Sequence, residues 1–139
     1  MKRCLVVLLS VAPLMAQGST DVAEPLVDLE HLAPTVEQGR AVFAEREQGH
    51  CVLCHAVSTL DVPFQGDVGP AMDGIGARLT PAQIRYRIID ASQLNPDTIM
   101  PPYFRSTGLQ QVATEHAGQT VLIAEQIEQL VFYLSELKD

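Results

Sequence analysis

The sequence predicts an all-α fold of three to five helices. Two T-x-x-Q capping boxes mark helix starts, one pairing Thr35 with Gln38 and the other pairing Thr80 with Gln83. A further helix is predicted over residues 124–137, where apolar side chains recur at helical spacing. Because these helices can build a core by themselves, no strand is needed.

The first and last of these helices are expected to cross. Gly39 and Phe43 share one face of the first helix with Val36, and Gly49 ends that helix. Glycine weakens a helix, so the close approach of a second helix best explains Gly39. Tyr133 of the last helix is expected to pack across Gly39 and Phe43.

The middle helix is predicted over residues 81–91, with Ile84 and Ile88 in the core. Arg85 and Arg87 are expected to point outward. The acidic residues are expected on exposed helix faces, and no nucleophile has a base beside it. No catalytic site is therefore predicted within this chain.

A C-x-x-C-H motif, formed by Cys51, Cys54 and His55, carries the chemistry of the chain. Each thiol can bond to one vinyl group of haem, and the adjacent imidazole can bind the iron. The cysteine pair of a thioredoxin-type protein would follow a strand in an alternating β/α pattern, which is not seen here. A zinc site would need a second pair of ligands, and the sequence has no second cysteine pair. A disulfide between the two thiols would close a short, strained loop. The motif thus predicts one covalently bound haem c.

A methionine on a stiff loop is the predicted second ligand of the iron. Met100 precedes Pro101 and Pro102, which forbid helix and hold the chain extended. A thioether binds iron weakly, so the loop must position it in advance. Two alternatives stay open: Met72, interpreted as core filler beneath the haem, and His116, interpreted as a surface loop residue.

The long loop over residues 56–74 is rich in turn residues and is expected to cover an edge of the cofactor. Gly74 and Gly76 are expected to let the backbone approach a flat group closely. Arg78 is interpreted as a solvated surface residue, with a haem propionate or a partner as the alternative contact.

The N-terminus has the features of an exported protein. Lys2 and Arg3 precede an apolar run over residues 5–14, which is too short to span a membrane, and Ala16 suits a cleavage site. We predict a periplasmic protein with a cleaved signal peptide over 1–16, an extended N-terminal arm over 17–33 and a single domain over 34–139.

The net charge of the chain limits the classes of partner that it is expected to bind. Nine Lys and Arg stand against 17 Asp and Glu, a net charge of −8, and loss of Lys2 and Arg3 with the leader makes it −10. Nucleic acid and anionic membrane surfaces are therefore poor partners for this chain. A protein with a basic docking surface is favoured.

The order of these features resembles class I cytochrome c. A helix with Gly and an aromatic residue, the C-x-x-C-H motif, a Gly-Pro pair, a Met-Pro pair and a last helix with Tyr follow one another over roughly residues 35–138. Several stretches are similar to the SoxX family, the small monohaem subunits of the SoxAX complex of sulfur-oxidising bacteria. These stretches are residues 64–70, 74–78, 95–103, 108–109 and 121–128, the last with Ile123 where Thr is common.

The resemblance implies a function and a set of partners. It implies a heterodimer with a larger haem subunit, SoxA, and an L-cysteine S-thiosulfotransferase reaction that joins thiosulfate oxidatively to a cysteine of a carrier protein, SoxY. The substrate chemistry would lie mainly on the larger subunit. The small subunit would take up the electrons and pass them to a soluble cytochrome.

The resemblance also implies roles for the site residues. Cys51 and Cys54 would form the two thioether bonds, His55 the proximal bond to iron and Met100 the distal bond. The Pro70 carbonyl would orient the His55 imidazole through its N–H. With both axial positions filled, electron transfer is favoured over catalysis at the iron.

Two other functions remain open. One is a free-standing periplasmic electron carrier for an oxidase or another dehydrogenase, which would need neither the acidic arm nor the extra segment over residues 104–123. The other is a ligand-binding haem domain, in which Met100 dissociates to admit a small gas.

Overall fold

The computed structural model describes residues 22–139, and the predicted signal peptide lies outside the described residues. The described part is all-α, as predicted, and contains no strand. Its helices are α1 (Leu29–Leu32), α2 (Val36–Ala44), α3 (Ile75–Arg78), α4 (Pro81–Asp90) and α5 (Ala124–Glu136). Short 3₁₀ turns cover Cys51–Leu53, Ala91–Gln93 and Thr114–His116. Within residues 22–139, no helix is both long and apolar enough to cross a membrane.

The predicted crossing of α2 and α5 is confirmed. A Cβ atom at Gly39 would lie 2.1 Å from the Gln129 carbonyl oxygen and 2.4 Å from the Tyr133 Cβ, so only glycine allows this approach. The rings of Phe43 and Tyr133 meet edge to face with centroids 5.8 Å apart. The two helices close the fold around the buried apolar side chains of the core.

Both predicted capping boxes form. The Thr35 hydroxyl accepts from the Gln38 N–H at 3.2 Å, and the Gln38 side chain accepts from the Thr35 N–H at 2.9 Å. Thr80 and Gln83 repeat the arrangement at the start of α4. The predicted end of the first helix at Gly49 is wrong, because α2 ends at Ala44 and a turn follows.

The prediction that Arg85 points outward is wrong. The guanidinium is buried and meets the carboxylate of Glu128 on α5 through two hydrogen bonds, Nε to Oε1 at 2.7 Å and Nη2 to Oε2 at 2.6 Å. Glu128 is itself only 1% exposed, which also corrects the expectation that the acidic residues lie on exposed faces. Two parallel bonds between oppositely charged planar groups join α4 to α5 in the core.

The described part of the N-terminal arm packs against this ion pair. Arg85 Nη1 donates to the Ala23 carbonyl at 2.8 Å, and the Leu26 N–H donates to Glu128 Oε1 at 2.9 Å. Asp28 then caps α1, so the arm includes one helical turn. Each side chain of the buried pair therefore has a backbone partner in the arm.

Gly74 and Gly76 serve a different purpose from the one predicted. A Cβ atom at Gly76 would lie 2.2 Å from the Ser135 carbonyl oxygen, and the Gly76 N–H donates to the Leu137 carbonyl at 2.8 Å. Gly74 has a φ of +65° and lies near the C-terminal residue. These glycines fit α3 against the end of α5 rather than against a cofactor.

Candidate functional site

A cavity of about 810 Å³ lies between the C-x-x-C-H turn, α3, α4, the segment over residues 94–103 and α5. Its walls are mostly apolar. The aliphatic and thioether side chains that line it include Met72, Ile75, Leu79, Ile84, Ile88, Leu94, Leu130 and Leu134. A cavity of this size and character suits a large, flat, apolar group.

The five residues singled out from the sequence all border this cavity: Cys51, Cys54, His55, Pro70 and Met100. Of the two alternatives to Met100, Met72 is buried in the cavity wall, whereas His116 is exposed and does not line the cavity. The fold therefore brings together residues that lie as much as 49 positions apart in the chain.

The C-x-x-C-H motif is wound into a tight turn. The N–H groups of Cys54 and His55 both donate to the Cys51 carbonyl, at 3.0 and 2.9 Å. Both thiols are free, and burial raises the pKa of the Cys51 thiol to about 12, an effect that the backbone and the Tyr103 hydroxyl only partly oppose.

The His55 ring is held in one orientation. Its Nδ1 lies 2.8 Å from the Pro70 carbonyl oxygen, so Nδ1–H donates there and Nε2 keeps its lone pair. A Cβ atom at Gly69 would lie 2.2 Å from the His55 Cε1, so glycine lets the loop lie directly against the imidazole. The Gly69 N–H also donates to the Cys54 carbonyl at 2.8 Å, which fixes the loop to the motif.

The segment that carries Met100 is anchored at its base. Asp90 is buried at the end of α4 and pairs with Arg105 at 2.7 Å, which closes the loop between them. Burial tends to raise the pKa of Asp90, but hydrogen bonds from Ser92 and Gln93 and the charge of Arg105 outweigh it and lower the pKa. The Asp90–Arg105 pair thus fixes the two ends of the loop, and Met100 lies half-buried at the cavity between them.

Comparison with solved structures shows a similarity to a known cytochrome complex. The crystal structure of SoxXA from P. pantotrophus matches with a TM-score of 0.69 and 32% sequence identity, covering 76% of this chain and 83% of that chain. The chain belongs to the SoxX family. No protein-family model matches this SoxX-family sequence, and no curated protein matches it. The resemblance inferred from the motifs is therefore confirmed by the fold.

Two arginines at the cavity of this SoxX-family chain were not predicted as a pair. Arg87 lines the cavity and is half-buried, so the prediction that it points outward is wrong. Arg78 also lines the cavity, although it is exposed. Their Nη1 atoms donate to the backbone carbonyls of Gln83 and Asp73, and neither guanidinium forms an ion pair with a carboxylate of residues 22–139.

The position of Arg87 could have been read from helical spacing. The residues of the α4 region that line the cavity are 84, 87, 88 and 91, which is the i, i+3, i+4, i+7 pattern of one helix face. When only the apolar residues of α4 are assigned to this face, Arg87 is overlooked, although it lies on the same face. A charge there is consistent with an anionic group at the edge of an otherwise apolar ligand.

Proposed function

We propose that this chain holds one haem c and serves as the electron-transfer subunit of a SoxAX-like complex in the periplasm. The observation that carries the proposal is the convergence of the C-x-x-C-H turn, the oriented His55 and the anchored Met100 on one apolar cavity. Membership of the SoxX family supports it independently.

The residues at the cavity fit a haem in both shape and chemistry. Cys51 and Cys54 would form the two covalent bonds, and His55 would bind iron through Nε2, the nitrogen left free by the Pro70 hydrogen bond. Met100 would supply the second axial bond. When bound, the haem supplies one-electron transfer at its iron. With His55 and Met100 both bound to the iron, these two residues would keep substrate away from the metal.

The cavity arginines would hold the two carboxylates of the haem. A carboxylate at an apolar cavity needs a cation, and Arg78 and Arg87 have no carboxylate partner within residues 22–139. A positive charge near the iron favours the reduced state, since reduction adds a negative charge. The arginines thus help set the potential at which this chain accepts electrons.

Arg87→Gln is therefore expected to lower the reduction potential of the haem-loaded protein. The expected shift is about 20–60 mV, the effect of one partly screened unit charge, and it is measured by potentiometric titration. Arg40→Gln is the matched control, since it removes an equal charge from an exposed position outside the cavity. Equal potentials for the two variants would contradict the assignment of Arg87.

The reaction proposed for the complex determines how many electrons this chain would have to accept. Joining thiosulfate to the thiol of a carrier protein forms one S–S bond and releases one proton and two electrons. The bond would form on the larger haem subunit, resembling SoxA, with a carrier resembling SoxY. This chain would receive the electrons one at a time and pass them to a soluble cytochrome.

Purification of the exported, haem-loaded protein from thiosulfate-grown cells tests this function. The expected product is a one-to-one complex with a larger haem protein, active in joining thiosulfate to a carrier cysteine. A lone monomer that exchanges electrons freely with an oxidase or another dehydrogenase would instead identify a free-standing carrier.

A further inference from the structure

Four large apolar side chains are exposed around the C-x-x-C-H turn and the mouth of the cavity. Phe64 is 100% exposed and does not line the cavity, so a group bound in the cavity would leave it uncovered. Leu53, Val68 and Ile99 are exposed and also line the cavity, so they form its rim, where a group bound in the cavity would cover part of each side chain. We refer to these four residues as the Phe64 patch. Exposed apolar groups that cluster in this way mark an interaction surface.

Phe64 is displayed on a rigid loop. The Gln65 side chain accepts from the Val57 N–H at 2.7 Å and donates to the Leu60 carbonyl at 2.8 Å, which ties the loop together from inside. The Gly66 N–H donates to the Val52 carbonyl at 2.9 Å, and a Cβ atom at Gly66 would lie 1.9 Å from the Leu53 carbonyl oxygen. The loop is therefore fixed beside Leu53.

The backbone at Phe64 is strained as well as fixed. Its φ is +60°, a left-handed conformation that a bulky L residue rarely adopts. Such strain persists where the surroundings impose it, and it is concentrated at functional positions. A large aromatic side chain that is held in water on a strained, rigid loop is pre-organised for a partner, because little freedom is lost on binding.

The charged residues closest in sequence to Phe64 and Ile99 are negative, whereas Arg78 and Arg87 border the cavity from α3 and α4. Asp61 and Asp67 are exposed three residues before and after Phe64, and Asp97 is exposed two residues before Ile99. No Lys or Arg occurs anywhere from residue 47 to residue 77. Carboxylates on both sides of Phe64 fit a partner that has an apolar pocket bordered by Lys and Arg, and they disfavour pairing of Phe64 with a second copy of the same loop.

We infer that Phe64 is the anchor by which this chain docks its cavity rim onto the larger haem subunit. This inference rests on the proposed function, which supplies that subunit as the partner. A fixed aromatic anchor fits a lasting contact better than the brief encounters of a soluble electron carrier. Docking at the rim also places the partner beside the cavity, where the distance for electron transfer is shortest.

Binding of the purified larger haem subunit to haem-loaded variants tests the inference. Phe64→Ala is expected to weaken binding by about 30-fold or more, as for an interface hot spot, with an unchanged visible spectrum. Phe132→Ala is the matched control, because Phe132 is an exposed phenylalanine on α5 outside the cavity and is expected to leave binding unchanged. Phe64→Gly should weaken binding as strongly while unfolding at an equal or higher temperature, since glycine tolerates the positive φ.

The outcomes separate this inference from the proposed function. If the wild-type protein binds the larger subunit and Phe64→Ala binds it as tightly as Phe132→Ala does, the docking assignment is overturned while the complex stands. If the wild-type protein does not bind the larger subunit, the proposed function fails and the docking assignment fails with it. Loss of self-association in Phe64→Ala, with no effect on the larger subunit, would assign the patch to a second copy and overturn the inference.

Discussion

Replacing Met100 by Ala is expected to open one axial position of the haem-loaded protein. The red-region charge-transfer band of His/Met ligation should disappear, and the reduced protein should bind carbon monoxide at neutral pH, which the wild-type protein should not. The reduction potential should fall by about 100 mV or more, since axial ligands set haem potentials over roughly 0.8 V. Visible spectroscopy and potentiometric titration measure these changes.

Met72→Leu is the control for this result. Met72 lies in the same cavity wall but is 8% exposed, and its backbone N–H is bonded to the Ala56 carbonyl at 2.8 Å, as for a core residue. The variant should keep the charge-transfer band and the potential of the wild type. Loss of the band in Met72→Leu, with retention in Met100→Ala, would assign the axial bond to Met72. Carbon monoxide binding by the wild type would favour a gas-binding domain.

Glu128→Ala is expected to cause the largest loss of stability of any single change outside the haem site. The substitution leaves the buried Arg85 guanidinium without its counter-charge and the Leu26 N–H without its acceptor. Removing one partner of a buried pair costs about 3–5 kcal/mol of unfolding free energy. Urea denaturation followed by circular dichroism measures the loss.

Two further variants show whether the effect comes from the buried charge. Glu37→Ala breaks the exposed ion pair between Glu37 and Arg40, and little change in unfolding free energy is expected because the remaining Arg40 guanidinium is in contact with water. The double variant Arg85→Met with Glu128→Leu should recover much of the loss, since no unpaired charge is then buried. A loss in Glu128→Ala no larger than in Glu37→Ala would contradict the role assigned to the pair.

The candidate site was largely predictable because most of its parts are local. The motif residues Cys51, Cys54 and His55 are adjacent in sequence, and the prolines after Met100 stiffen the segment that carries it. The helix caps follow from pairs only three residues apart. The meeting of α2 and α5 was also predictable, because a glycine within an apolar helix face indicates close contact with another helix.

The buried ion pair was not predictable from local pattern. Arg85 and Glu128 are 43 residues apart in the chain. The local sequence around each of them predicts a solvent-facing residue of an amphipathic helix. Only the tertiary contact between α4 and α5 provides the counter-charge that permits burial of both groups. The same limitation applied to Gly76, whose close neighbour is the α5 carbonyl of Ser135, almost 60 residues away in the chain.

Rapid mixing of the intact complex with thiosulfate and the carrier protein tests most directly whether this chain receives the electrons. The His/Met charge-transfer band belongs to the oxidised form, so its loss reports reduction of this subunit separately from the haem of the larger one. The band should disappear at the rate of S–S bond formation when thiosulfate and carrier are both present, and persist when either is omitted. Formation of the thiosulfate-bound carrier while the band stays unchanged would contradict the electron-accepting role.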